Sequence, residues 1–279
     1  MEPSAQPART SRVGGRIGVG SHLFFLAVAL LLAPLRPVAA QGTPQQTQPM
    51  ARDASPSFLV ATIKLSDPDD TREGFPYDGR HLSCFHETVD TILTIAYGIH
   101  PKQIVNGPEW LSKDHYDIEG VADLPGVPNL QQQQQMWRKL LADRFHLVFH
   151  HETRQLPIYA IRIAKDPPLL KLAEANETIN TGSSGNGGQR TLKFRNMSMS
   201  GFALNMNWYV DRPIIDQSSL TGSYDFTLKW TFDDTAPHDT DAPPSLFTAI
   251  KEQLGLKLDA VKGPADVLVI DHVEQPSPN

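Results

Sequence analysis

One cysteine, Cys84, stands in 279 residues, and that scarcity excludes an internal disulfide and a cysteine-based metal site. It sits in Leu82-Ser83-Cys84-Phe85, a strand-like run in which a small buried apolar side chain is a simpler reading than a reactive thiol. Basic residues are short as well: 25 Lys and Arg against 31 Asp and Glu give a net charge of −6. Nucleic acid is a poor partner for such a chain, because binding it rests on clustered Lys and Arg that neutralise phosphates. Missing too are the patterns that carry familiar chemistry. No G-x-S-x-G elbow supplies a nucleophile, and no H-E-x-x-H helix offers paired imidazoles to zinc. The glycine run Gly182 to Gly188 lacks the Lys-Ser/Thr end of a phosphate loop. No cofactor is expected.

Long apolar runs are scarce. Leu23 to Leu35 falls short of the roughly 20 residues needed to span a bilayer. Arg9, Arg12 and Arg16 precede it and Val38-Ala39-Ala40 follows, which predicts a signal peptide over residues 1–40, cut after Ala40. The expectation is a periplasmic or extracellular protein with no membrane span after cleavage. Removing four arginines and Glu2 with that segment leaves a charge of −9. Residues 41–56, rich in Gln, Pro, Ser and Thr, predict a disordered leader.

What the chain does have is a pattern used twice. Gly222 marks a turn, after which Tyr224, Phe226, Leu228 and Trp230 alternate with Asp225, Thr227 and Lys229, the period-two signature of a strand with one buried face. Trp110 to Gly120 does something similar. Around these stretches, Arg80 to His86 can be laid on Arg190 to Asn196, helix-like Thr88 to Ile99 on Ser198 to Tyr209, and Gln103-Ile104-Val105 on Pro213-Ile214-Ile215. The offset is about 110 residues throughout. The amphipathic helix Met136 to Phe145 matches Ser245 to Leu254. After each helix come a strand, a turn and a second strand: Leu147-Val148-Phe149 and Ile158 to Ile161 against Leu256-Lys257-Leu258 and Val267 to Ile270.

The reading is an α+β fold of two similar β-α-β-β-α-β-β units, pseudo-twofold, with helices packed on largely antiparallel sheets. The first unit covers residues 57–165, a flexible linker 166–189, and the second unit 190–275. Phe58 to Leu65, Ile158 to Lys165 and Val267 to Val273 look like three equivalents of one strand, so the first and last are expected to lie together and tie the ends.

Several stretches carry a resemblance. Ala96-Tyr97-Gly98, Gly107-Pro108-x-Trp110-Leu111 and Leu140-Leu141-Ala142-Asp143-Arg144-Phe145 lead into His150-x-Glu152-Thr153-Arg154. Arg212-Pro213-Ile214-Ile215-Asp216, Leu220-Thr221-Gly222-x-Tyr224-Asp225-Phe226 and Val269-Ile270-Asp271-His272-Val273-Glu274 follow. From about Phe58 to Pro276 the chain resembles a soil-associated family of exported bacterial proteins built on a domain of unknown function, a domain that also occurs behind membrane metallopeptidases of the β-lactam-sensor type. The resemblance implies export and no established activity. Asn205, Met206, Asn207 and Ser218-Ser219 depart from the family's usual pattern. A weaker likeness, over Leu254 to Leu258 and Val267 to Ile270, is to the short N-terminal domain of secretins and TonB-dependent receptors, which favours a protein-binding module.

Candidate ligands concentrate at His146, His150, His151 and Glu152. In a strand His146 and His150 share a face and His151 points the other way, so at most two imidazoles converge; they are weak metal candidates and exposed strand histidines are the simpler reading. Asp271 and His272 are adjacent in a strand and project to opposite faces, so they cannot pair with each other. Asp117, Asp216 and Asp225 suit turn or backbone donors better than acid-base work. Among aromatics, Trp208, Tyr209, Tyr116 and Tyr224 are the candidate binding residues, with Trp208 and Tyr209 the better placed for exposure and core packing the alternative for the alternating ones. A site is expected where the strands of Tyr116 and Tyr224 begin, at the junction of the copies. These features favour a non-catalytic envelope module that binds an unknown protein or peptide; the alternative is a secreted hydrolase or carbohydrate-binding protein with an unrecognised site.

Overall fold

Three of the four described α-helices start at side chains that satisfy free amides. The computed structural model describes residues 48–174, 180–186, 188–232 and 243–277; the segment expected as a signal peptide, the first part of the expected leader and most of the acidic loop after Phe232 lie outside them. Thr88 caps α1 (Val89–Tyr97) by accepting the Thr91 amide at 3.3 Å, and Ser198 caps α3 (Met199–Met206) through the Gly201 amide at 3.1 Å. Asn129 and Gln132 form a reciprocal capping box at the start of α2 (Leu130–Arg144), which places the glutamine run inside that helix. The fourth helix, α4 (Leu246–Leu254), ends on Gly255 at φ 67°.

The strands form three sheets. In the first, β1 (Phe58–Leu65), β5 (His115–Ala122), β3 (His81–Thr88) and β2 (Tyr77–Asp78) lie in that order; in the last, β7 (Lys171–Leu172), β11 (Ser223–Thr231), β9 (Gln189–Ser198) and β8 (Asn180–Asn186) repeat it. Between the helices run β4 (Ile104–Val105), β6 (Val148–Ile163), β10 (Ile214–Asp216) and β12 (Leu256–His272), which form the middle sheet in the order β10-β6-β12-β4. The fold is α+β, with helices packed against largely antiparallel sheets; among these named strands only β10 with β6 and β4 with β12 pair in parallel.

The repetition extends to irregularities. Opposite Asp117, β3 bulges between Cys84 and Glu87; opposite Asp225, β9 bulges between Phe194 and Met197. Each bulge holds a residue in the left-handed region, His86 at φ 52° and Asn196 at φ 49°, and each donates its amide to the facing carboxylate, at 3.0 Å and 2.8 Å. These aspartates therefore serve backbone donors.

The long strands β6 and β12 pair with each other along their whole length, and Gln155 faces Pro264 at the middle. Tyr159 of β6 pairs with Ile214 as Leu268 of β12 pairs with Ile104. These matched pairings relate the copies by a pseudo-twofold through the Gln155–Pro264 step. In consequence the copies exchange strands: Leu268 and Ile270 of β12 belong to the core of α1, α2 and the first sheet, while Ile161 of β6 belongs to the core of α3, α4 and the last sheet.

Four expectations change. The turn expected near residues 150–157 is continuous strand, because Pro157 and Pro264 stand where neither β10 nor β4 flanks the ribbon and no ladder donor is needed on that side. The linker carries β7 and, through its glycines and serines, the edge strand β8, whose pairing with β9 uses backbone groups and so leaves no apolar signature. Part of the leader is also ordered: Met50 is buried, its amide bonds to the Val127 carbonyl at 2.9 Å, and Gln132 donates to the Ala51 carbonyl. Finally, β1 pairs with β5 and not with the end of β12; its counterpart is β7, since Leu65 faces Tyr116 as Leu172 faces Tyr224. A two-residue strand is too short to show a period.

One asymmetry yields an expected result. After α4 the left-handed position is Gly255, where a Cβ would come 3.0 Å from the Leu169 amide nitrogen; after α2 it is His146, at φ 51°. An L-residue in this region costs roughly 1–2 kcal/mol. His146→Gly is expected to raise the unfolding free energy by about 1 kcal/mol and Gly255→Ala to lower it by at least as much, measured by urea titration.

Candidate functional site

An aromatic corner forms where α3 runs out. Asn207, itself buried, accepts the Ile214 amide at 3.0 Å and fixes the short 3-10 turn Asn207–Tyr209 after the helix. The turn leaves Trp208 53% exposed and lays Tyr209 edge-on against Trp230, with ring centroids 5.0 Å apart. Phe232, also 53% exposed, continues the cluster 5.8 Å from Trp230 and 6.0 Å from Tyr209. Arg190, the register partner of Trp230 on β9, holds its guanidinium 5.7 Å from the Phe232 ring and 6.0 Å from Tyr209. Trp230 is buried and its Nε1 finds no hydrogen-bond partner among the described residues. The corner thus joins Tyr209, buried Trp230 and half-exposed Phe232 beside one permanent cation, with Trp208 exposed on the adjoining turn. Such a group can stack on flat or apolar ligand groups and draw π-rich or anionic ones.

The first copy braces this corner from outside. His100 Nε2 lies 3.3 Å from the Val210 carbonyl, while its Nδ1 accepts the Lys102 amide at 3.0 Å. With Nδ1 accepting, the ring is neutral and its Nε2–H donates to Val210. Burial pushes the His100 pKa down, in keeping with that form. Sequence reasoning passed over His100, and its only signal there was a histidine ahead of Pro101.

The other candidate residues lie elsewhere. Tyr116 is 3% exposed and packs edge-on to Phe145 at 5.7 Å, and Tyr224 is buried beneath Gly222. They belong to different cores, so the mouths of the two strands form no common site. Both sit on the inward phase of their strands, and that phase buries them. His146 lies 4.0 Å from Glu274, and His150 is engaged by Asp271 and Glu152. Among the described residues no three His, Cys, Asp or Glu side chains are grouped to hold a metal ion. Glu274 and Asp271 come from the distant C-terminal stretch, which local spacing cannot reveal.

A second feature is an open concavity of about 400 Å³ lined by Phe247, Thr248, Lys251, Glu252, Lys257 and Leu258. Tyr159 meets Phe247 edge-on at 5.1 Å, donates its hydroxyl to Asp211 at 2.9 Å and carries Arg212 over its face. No described helix is long and apolar enough to cross a membrane.

Compared with known families, residues 90–273 match the model for a protein of unknown function, DUF3738. The chain belongs to the DUF3738 family. No curated protein and no solved structure matches it. The DUF3738 match runs from α1 to the end of β12 and so contains the aromatic corner and the ribbon; β1 to β3, which complete the first core, precede it.

Proposed function

We propose that this DUF3738 protein is an exported, non-catalytic module that binds a protein or peptide in the cell envelope through the corner formed by Trp208, Tyr209 and Phe232. The observation that carries the reading is half-exposed Phe232 packed on Tyr209 and buried Trp230 beside Arg190, with Trp208 exposed on the turn that carries Tyr209. Trp, Tyr and Arg anchors dominate protein interfaces, and an aromatic cluster left half open to water marks a candidate interaction surface. Export rests on the basic, apolar and small-residue pattern of residues 1–40. A hydrolase or carbohydrate-binding role would be supported instead by the concavity beside Phe247.

The test compares the exported chain with Trp208→Ala and Phe232→Ala as bait in envelope extract. Both variants are expected to lose the retained partner while their unfolding free energies stay within about 0.5 kcal/mol of the parent, as for surface positions. Equal retention by all three baits, or turnover in a hydrolase panel without any partner, would overturn the reading.

A further inference from the structure

The paired strands β6 and β12 carry an ion cluster at each end, and pseudo-symmetry makes the two comparable. At the end beside the second core, Asp259 lies 3.5 Å from Arg162 across the strands and 2.9 Å from Lys257 two residues along its own strand. This is an anion between two cations whose charges hold throughout the ordinary pH range. At the other end the matching positions are His150, in place of Asp259, and Asp271, in place of Arg162. The cross-strand pair is charge-inverted, while the second arms lie on opposite sides of their centres, Lys257 before Asp259 and Glu152 after His150. His150 Nδ1 lies 2.9 and 3.0 Å from the two Asp271 oxygens, and Nε2 lies 3.2 Å from Glu152, two residues along its own strand.

A neutral imidazole has one N–H and one lone pair, so it can donate to only one of these carboxylates. Both contacts are satisfied together only by the imidazolium. Asp271 is the extra residue of a bulge between Ile270 and His272, an irregularity that the other end of the ribbon lacks at Arg162. In this half of the ribbon β12 is the middle strand and β6 the edge. We infer that His150 is a proton-operated clasp: protonated, it fastens the edge strand β6 to the bulged end of β12 through Glu152 and Asp271, and on losing its proton it releases one of the two arms.

The groups facing His150 are Asp271 from β12 and Glu152 from β6, with Arg154 acting through Glu152 at 2.7 Å. Around them, His151 pairs with Asp266, and His272 and His146 share Glu274. The Asp271 and Glu152 carboxylates, Asp271 first, raise the His150 pKa above the ordinary 6.5. For a group raised in the folded state, the stabilisation is complete below 6.5 and disappears as pH climbs through the folded value. Opening the clasp loosens the edge strand over Phe149, which packs on Tyr97 at the rim of the first core.

The test is histidine-resolved NMR titration of the full chain, together with hydrogen exchange corrected for the intrinsic pH dependence. His150 is expected to titrate above 6.5, to move back toward 6.5 in Asp271→Asn, and to be accompanied by loss of amide protection in residues 148–152 as it deprotonates. His150→Arg, which copies the permanent cation of the other end, is expected to hold that protection constant across the same range. A His150 midpoint at or below 6.5, or a pH profile of protection that is unchanged in His150→Arg, would overturn the clasp.

Discussion

Asp117→Ala is expected to lower the unfolding free energy by about 2–3 kcal/mol, the cost of leaving buried hydrogen-bonding groups without a partner. The carboxylate is 2% exposed and accepts both the Ser66 hydroxyl at 2.7 Å and the amide of His86 at 3.0 Å. The amide belongs to a left-handed residue inside a bulge, where no ladder partner can replace the lost acceptor. The second oxygen makes no hydrogen bond and lies 3.5 Å from Lys64 and 3.8 Å from Arg72, cations that can turn to water if it is removed. The matching change, Asp225→Ala, removes the acceptor of Asn196 from a less buried site and is expected to cost about 1 kcal/mol. Burial alone would raise the Asp117 carboxyl, but the Ser66 hydroxyl, the His86 amide and Lys64 outweigh it and hold it below 3.8. The Asp117 contribution is therefore full above the unfolded value and is lost as pH falls through the lowered one, so denaturant titrations of parent and variant should converge in strong acid.

Leu268→Ala is expected to be as damaging, at about 3 kcal/mol, within the range for truncating a fully buried leucine. Leu268 is 1% exposed and its strand is flanked on both sides, by β4 and by β6. It lies in the second copy by sequence and in the first core by contact. Ile161 has the mirrored position, first copy by sequence and second core by contact, and is fully buried. Ile161→Ala should cost a similar amount through the opposite core.

What the sequence made legible was local. The alternation from Tyr224 to Trp230 gave the correct buried phase, with Tyr224, Leu228 and Trp230 inside and Thr227 and Lys229 outside. Caps at Thr88 and Ser198 and the offset of about 110 residues placed the helices of both copies. Partner choice was not legible. Residues 150–157 read as a turn because Gln155 and Pro157 interrupt the apolar pattern, yet their strand is held by backbone pairing with residues 262–269. Short β7 and glycine-rich β8 are strands for the same reason. At the candidate site, the exposure of Trp208 follows from the Asn207 turn, whereas the Tyr209–Trp230–Phe232 cluster joins an α3 corner to the end of a distant strand. Nothing near Asp271 signals its pairing with His150, because the contact spans 121 residues.

The exchange of strands between the two copies is tested most directly by residue-resolved hydrogen exchange on Leu268→Ala and Ile161→Ala. The crossed pattern is the expected result: Leu268→Ala, changed in the second copy, should lose protection first in α1 and α2, and Ile161→Ala, changed in the first, should lose it first in α3 and α4. Protection lost on the side of the copy that carries each change, with α1 and α2 unaffected by Leu268→Ala, would contradict the exchanged architecture.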